Sequence, residues 1–359
     1  MTEPNQKGDS ARDPGVGSVN QSDDPTPITL ARNRELLVGI NRDLLVGMVV
    51  TMVMLAAAIV FERIEGAEGA QHFQSTLSNY YYTTAHSIFI AALLVLSTLF
   101  FVYKGSSNTE DELLTLAGIC TLTAALVPRD APIGELTSPP DLPSNYDPRL
   151  AIEPNVWAVV VALGLGWLAM RLLHRRTLTK PIRSPGGTLS LYILRLVVGL
   201  GLIALCRFPA KFKEYAHGAA GVLMLLSFIA TVFCAAYVVG QEDDSKSPKR
   251  LRYRRFYRVI AVGMLVTLVA VVTVHLVHPG WVFWIILMEA TLILEFAAYG
   301  AVKTLDLWDT PDPMERLSDQ TRHRLAERRA KRKRGLSGLK SELANARKEP
   351  PGQRLLPLL

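Results

Sequence analysis

The chain has 359 residues, a formal charge of +7 and a hydrophobic fraction of 49%. The apolar residues collect in long, nearly uncharged blocks, which excludes a soluble fold built from elements with one buried face each. Cys120, Cys206 and Cys234 all lie in or beside apolar blocks, with neither the pairing of a disulfide framework nor the spacing of a zinc knuckle.

The first 30 residues are polar and rich in Gly, Pro, Asp and Ser, without the basic start and apolar stretch of a signal peptide. Residues 1–30 are therefore expected to form a disordered arm, 31–305 a transmembrane helical domain and 306–359 a basic cytoplasmic tail. The first membrane helix then serves as the insertion signal.

A helix needs about 20 apolar residues to cross the hydrocarbon core. Blocks near that length predict an all-α polytopic bundle of about eight spans, at 44–61, 84–103, 112–127, 156–173, 189–206, 217–239, 256–277 and 281–302. The first reads LLVGMVVTMVMLAAAIVF, with no charge and no proline.

Between spans one and two lies STLSNYYYTTAH, residues 75–86. Ser78 or Thr83 is expected to cap the second helix, and Tyr80, Tyr81 and Tyr82 to form an interfacial belt. The functional alternative makes Glu62, Ser78, Asn79, Tyr81 and His86 an outer polar site for a headgroup or small anion. The third span ends at Pro128, and the acidic, proline-rich stretch 129–155 reads as an external loop. The link 207–216 is short, external and basic. The stretch 240–255 moves from acidic to basic, and His278-Pro279-Gly280 makes a tight hairpin before span eight.

Charge fixes the orientation. Arg32, Arg34, Arg42, Lys104, Arg171, Arg175, Arg176, Lys180, Arg183 and the run Lys246–Arg258 share one side of an eight-span chain. That bias predicts both termini in the cytoplasm. Trp281, Trp284 and Trp308 are expected as interface anchors. In the tail, a helix is expected over Met314–Arg334, stopped by Gly335. Its dense basic run is read as a topology determinant that also meets anionic lipid headgroups. No aromatic interleaving points to nucleic acid.

Three ionisable residues fall inside predicted spans: Arg195, Glu289 and Glu295. Arg195 and Glu295 have matching depth, about 10 Å from the inner side, which predicts a salt bridge; a proton path for a coupled permease is the alternative. Glu289 lies nearer the outer side and about 120° around the helix from Glu295. Five histidines fall on the outer side: His72, His86, His217, His275 and His278. The plain reading is interfacial or structural. The sharper one is a zinc site formed by His217, His275 and His278 with help from carboxylates, although no HExxH or other dense ligand motif exists. Glycine pairs Gly164/Gly166, Gly199/Gly201 and Gly218/Gly221 would admit close helix approach.

The order of an apolar span, an external Ser-x-x-Tyr-Tyr segment, a second span, a charged link, a third span ending in proline, a later span opening His217-Gly-Ala-Ala and a last span with Trp284 and Glu289 resembles uncharacterised multispanning membrane proteins of bacteria, particularly actinobacteria. The resemblance covers the membrane region. It implies location in a bacterial plasma membrane and no particular chemistry. A looser analogy, through Ser78, His217, His275 and His278, is to zinc-dependent membrane hydrolases. The expectation is an integral membrane protein recognising lipid or a small solute through its outer face. A proton-coupled permease, a metal-dependent hydrolase and a structural, partner-binding protein are the alternatives, and an enzyme is not favoured.

Overall fold

A computed structural model describes residues 27–65, 73–129, 147–177, 184–240 and 250–309, with three isolated tail positions, His323, Glu327 and Ala344. The arm up to residue 26, His72, most of the acidic loop, the link 241–249 and the expected tail helix apart from His323 and Glu327 lie outside the described residues.

Every regular element among the described residues is a helix. Its order is α1 (Pro27–Glu65), a 3-10 helix (Leu77–Tyr82), α2 (His86–Val102), α3 (Asn108–Leu126), α4 (Pro148–Thr177), α5 (Pro185–Arg207), α6 (Pro209–Gly240), α7 (Arg250–Val277) and α8 (Trp284–Asp309). Each predicted span coincides with one helix; 84–103, 112–127 and 281–302 overrun theirs by one to three residues at an end, and most helices run past the apolar block. α1 begins at Pro27, inside the stretch expected to be disordered, and α8 runs into the expected tail. The basic link 207–216 is not a loop. Only Phe208 separates α5 from α6, because Pro209 opens the next helix with a preset φ and no N–H to satisfy. Lys211 and Lys213 thus stand on a helical turn beside carboxylates, Lys211 3.0 Å from Glu214 and Lys213 2.8 Å from Glu153 on α4.

Local chemistry sets the helix starts. Ser107 caps α3 by accepting from the Glu110 N–H at 3.2 Å, and Ser184 caps α5 by accepting from Gly187 N–H at 3.1 Å, with Pro185 following. α4 carries Pro154 in its second turn, where the missing N–H leaves the carbonyl of Leu150 without its helical partner.

Six helices, α1 and α4 through α8, are long and apolar enough to cross a membrane. α2 is apolar but has 17 residues, and α3 starts with Glu110 and Asp111 in its first turn. α3 is shielded from lipid instead: it packs against α2, α5 and most extensively α6. Ser97 Oγ donates to Gly118 O at 2.9 Å, and a Cβ on Gly118 would lie 3.0 Å from Phe101. α2 and α3 therefore meet backbone to backbone.

The remaining helices close around this pair, α1 on α2 and α8, and α7 between α6 and α8. Phe228 of α6 stacks on Phe296 of α8 with centroids 4.0 Å apart, and Phe100 of α2 meets both edge-on. This apolar plug divides two polar ends. The upper end holds the tops of α1, α3 and α7 with the 3-10 helix. The lower end holds the α2–α3 turn, the start of α5 and α7, and the end of α8.

Candidate functional site

At the upper end the segment 73–85 folds down onto the bundle. The Leu77 N–H donates to Glu289 Oε2 at 2.8 Å, and the Ile286 N–H donates to Ser75 O at 3.1 Å. Glu289 is thus bound to backbone and turned away from Glu295, as the helical angle between them requires. Ser78, Asn79, Tyr80, Tyr81 and Tyr82 are all buried. The tyrosines form neither an interfacial belt nor a cavity mouth, because the 3-10 helix drives their rings into a cluster with Leu55, Phe89 and Leu93. Neither expected cap of α2 is made: its N-cap is Ala85, without a side-chain hydrogen bond. Thr83 Oγ1 instead accepts from the Ala85 N–H at 3.2 Å and donates to Tyr80 O at 3.0 Å, while Ser78 and Thr76 share a hydroxyl contact at 2.8 Å.

The other upper residues stitch this lid down. Tyr82 OH donates to Arg129 O, and His86 Nδ1 pairs with Tyr81 O. His217 Nδ1 lies 2.7 Å from Val127 O, satisfying the carbonyl exposed where α3 ends. Glu62 lies beside the Thr83 hydroxyl. The Arg129 guanidinium is exposed and lies within electrostatic range of both Glu289 and His217.

The outer histidines that the structure describes, His86, His217, His275 and His278, do not converge. His275 stacks on Trp284 with ring centroids 4.1 Å apart, His278 is exposed past the end of α7, and His217 is engaged at the top of α3. Among the described residues no three His, Cys, Asp or Glu side chains come together as a metal would require, and the three cysteines are free. A proton path from Glu289 down α8 meets Leu292 and Phe296, at 0% and 3% exposure, before the next polar residue on that face, Tyr299.

Beside the lid is a groove of about 410 Å³. Phe73, Trp281, Phe283, Ile286, Leu287 and Ala290 line it, and the charged group at its rim is Arg63, whose guanidinium sits 5.8 Å from the centre of the Phe73 ring. The groove is an apolar trough with its charged lining residue at the edge.

The lower end holds a buried ionic network absent from the sequence-based expectations. Glu110 is 0% and Lys303 2% exposed, with Lys303 Nζ 3.4 Å from Glu110 Oε1. Tyr299 OH donates to Glu110 Oε1 at 2.8 Å, and the Ser106 N–H donates to Oε2 at 2.8 Å. Lys303 also donates to Ser106 Oγ at 2.7 Å, and Tyr257 OH to Asp306 Oδ2 at 3.1 Å. The pair fastens the α2–α3 turn to α8, and the Tyr103 hydroxyl within electrostatic range of Glu110 is buried without a hydrogen-bond partner. Two sequence signals pointed here: Ser107-x-x-Glu110, a capping-box spacing, and Tyr299, Lys303 and Asp306 on one helical face.

Arg195 and Glu295 are not paired. Glu295 Oε1 accepts from Thr267 of α7 at 3.1 Å, whereas Arg195 faces outward from α5. Their depth matches, but the main neighbours of α5 are α3 and α6, and those of α8 are α1 and α7. These features define a polytopic membrane helical bundle without a metal cluster or disulfide among its described residues. No family model, curated protein or solved structure matches the chain.

Proposed function

We propose that this chain crosses a bacterial plasma membrane eight times with both termini in the cytoplasm, and that its outer end recognises an anionic phospholipid. The contacts across the bundle support the crossing number. Arg42, Ser106 and Lys303 belong to one end, while Glu62, Val127, His217 and Glu289 belong to the other, as alternate passes require. The segregation of basic links supports the orientation. The likeness to bacterial multispanning proteins supports the compartment. The basic tail run 322–334 and the basic start of α7 then face the anionic inner leaflet.

The observation that carries the lipid reading is Arg63 at the rim of the apolar groove. The lid beside it is built from buried, mutually bonded groups and offers no free donor cluster for a dissolved anion. Native mass spectrometry of protein released from mixed phosphatidylglycerol and phosphatidylcholine discs tests this directly. Wild type should retain phosphatidylglycerol selectively. Arg63→Ala should lose about 1 kcal/mol, roughly fivefold, of that preference. Displacement of the lipid by inorganic phosphate would instead indicate a soluble anion as the ligand. Equal retention by both proteins would refute a role for the groove.

A further inference from the structure

Arg195 is exposed in mid-α5, and no described residue offers its guanidinium a hydrogen bond or ion pair. In a helix that crosses a bilayer, a charge facing lipid is costly and calls for a partner. Glu295 is the complementary case. Its carboxylate sits at the α7–α8 seam: Oε1 accepts from Thr267, Oε2 is shielded there without any partner, and the residue as a whole is half-buried.

Both residues lie at one depth, set by a common reference. Gly187 packs against Asn108 and Lys303 donates to Ser106, so both touch the lower end of α3. Arg195 is eight positions above Gly187, and Glu295 is eight positions above Lys303. At 1.5 Å per residue each charge stands about 12 Å above that layer.

The glycines fall into two classes. Gly47, Gly118, Gly263 and Gly300 each face a neighbouring helix, within 3.0–3.6 Å of where a Cβ would stand. Gly164 and Gly166 of α4, Gly199 and Gly201 of α5, and Gly218 and Gly221 of α6 have nothing within 4 Å. From Val161 to Leu173 every residue of α4 is exposed. Gly199 lies one turn above Arg195 on the same face, so a second helix can approach closely beside the charge.

We propose that the partner of Arg195 is Glu295 of a second copy of this chain, with the glycine face of α5 packed on α7 and α8 of that copy. Equal depth lets the charges meet in one bilayer, and their opposite sign selects this contact against α5 meeting α5. The contact does not involve the groove at Arg63, so the lipid reading and this one fail separately.

The test uses full-length protein in liposomes, with dilution-dependent energy transfer between labelled chains. Wild type should associate. Arg195→Glu and Glu295→Arg should each weaken association at least about thirtyfold. Their mixture should restore it, since each then supplies the charge the other lacks. Wild type that stays monomeric, or an Arg195→Glu protein that associates as wild type does, would overturn the proposal and leave Arg195 reaching for headgroups alone. Should one single variant misfold, the charge-swapped double variant must still associate with itself; its failure to do so when folded has the same overturning force.

Discussion

Lys303 of α8 reaches across the bundle to bind Ser106 Oγ at 2.7 Å and to face Glu110 at 3.4 Å, with both charges removed from solvent. Removing one partner leaves the other buried and uncompensated, which costs about 3–5 kcal/mol. Lys303→Met should therefore lower the unfolding temperature in detergent sharply. The double variant Lys303→Met with Glu110→Gln should recover much of the loss, because no net charge then remains. A double variant no more stable than Lys303→Met would show that the charges do not compensate each other.

The hydrogen bond from the Leu77 N–H to Glu289 yields a local prediction. Glu289→Gln keeps an acceptor oxygen and should leave the lid in place. Glu289→Leu orphans the amide and should cost about 1–3 kcal/mol. Hydrogen exchange across residues 73–85 should accelerate in the leucine variant while the α3–α6 core is unchanged.

The two classes of glycine should respond differently to a methyl group. Gly118→Ala places a Cβ 3.0 Å from Phe101 and 3.1 Å from Ser97 O, so α2 and α3 must separate. Overpacking of this kind costs about 1–3 kcal/mol. Gly164→Ala, where nothing lies within 4 Å, should leave monomer stability unchanged or slightly raised. Thermal unfolding of both variants in dilute detergent decides it.

For metal content, the dispersal of His217, His275 and His278 gives a direct expectation. Protein purified without chelators should carry zinc well below one equivalent, and His217→Ala should not change the value. Its effect should fall on stability, through the Val127 carbonyl it satisfies. Stoichiometric zinc that disappears in His217→Ala would contradict the arrangement described.

Much of the fold was legible because crossing segments announce themselves by composition. The blocks at 44–61 and 217–239 fall within α1 and α6 without ambiguity. Their extensions were not legible, since α6 begins with charged turns that any apolar criterion discards. The Arg195–Glu295 expectation illustrates a second limit. Residue counting gives height in a bilayer, but which helices are neighbours depends on packing between distant segments. The network at Glu110 was hidden differently: Lys303 stood one residue past the predicted end of span eight, and Glu110 looked like an ordinary loop carboxylate. Burial turned both into the strongest polar feature of the lower end.

Arg42 of α1 donates to the Leu307 carbonyl of α8 through Nη2 at 2.7 Å and Nε at 3.1 Å, and its guanidinium lies over the Trp308 ring. The contact spans 265 positions. At ~5–20 residues per second, a ribosome needs roughly 13 to 53 s to make that stretch. α1 thus waits for α8 before this seam can close. During that interval insertion machinery, a chaperone or lipid must cover the face of α1 that α8 later occupies. Messages truncated before the codon for Leu307 should yield chains that insert but stay open to quality-control proteases.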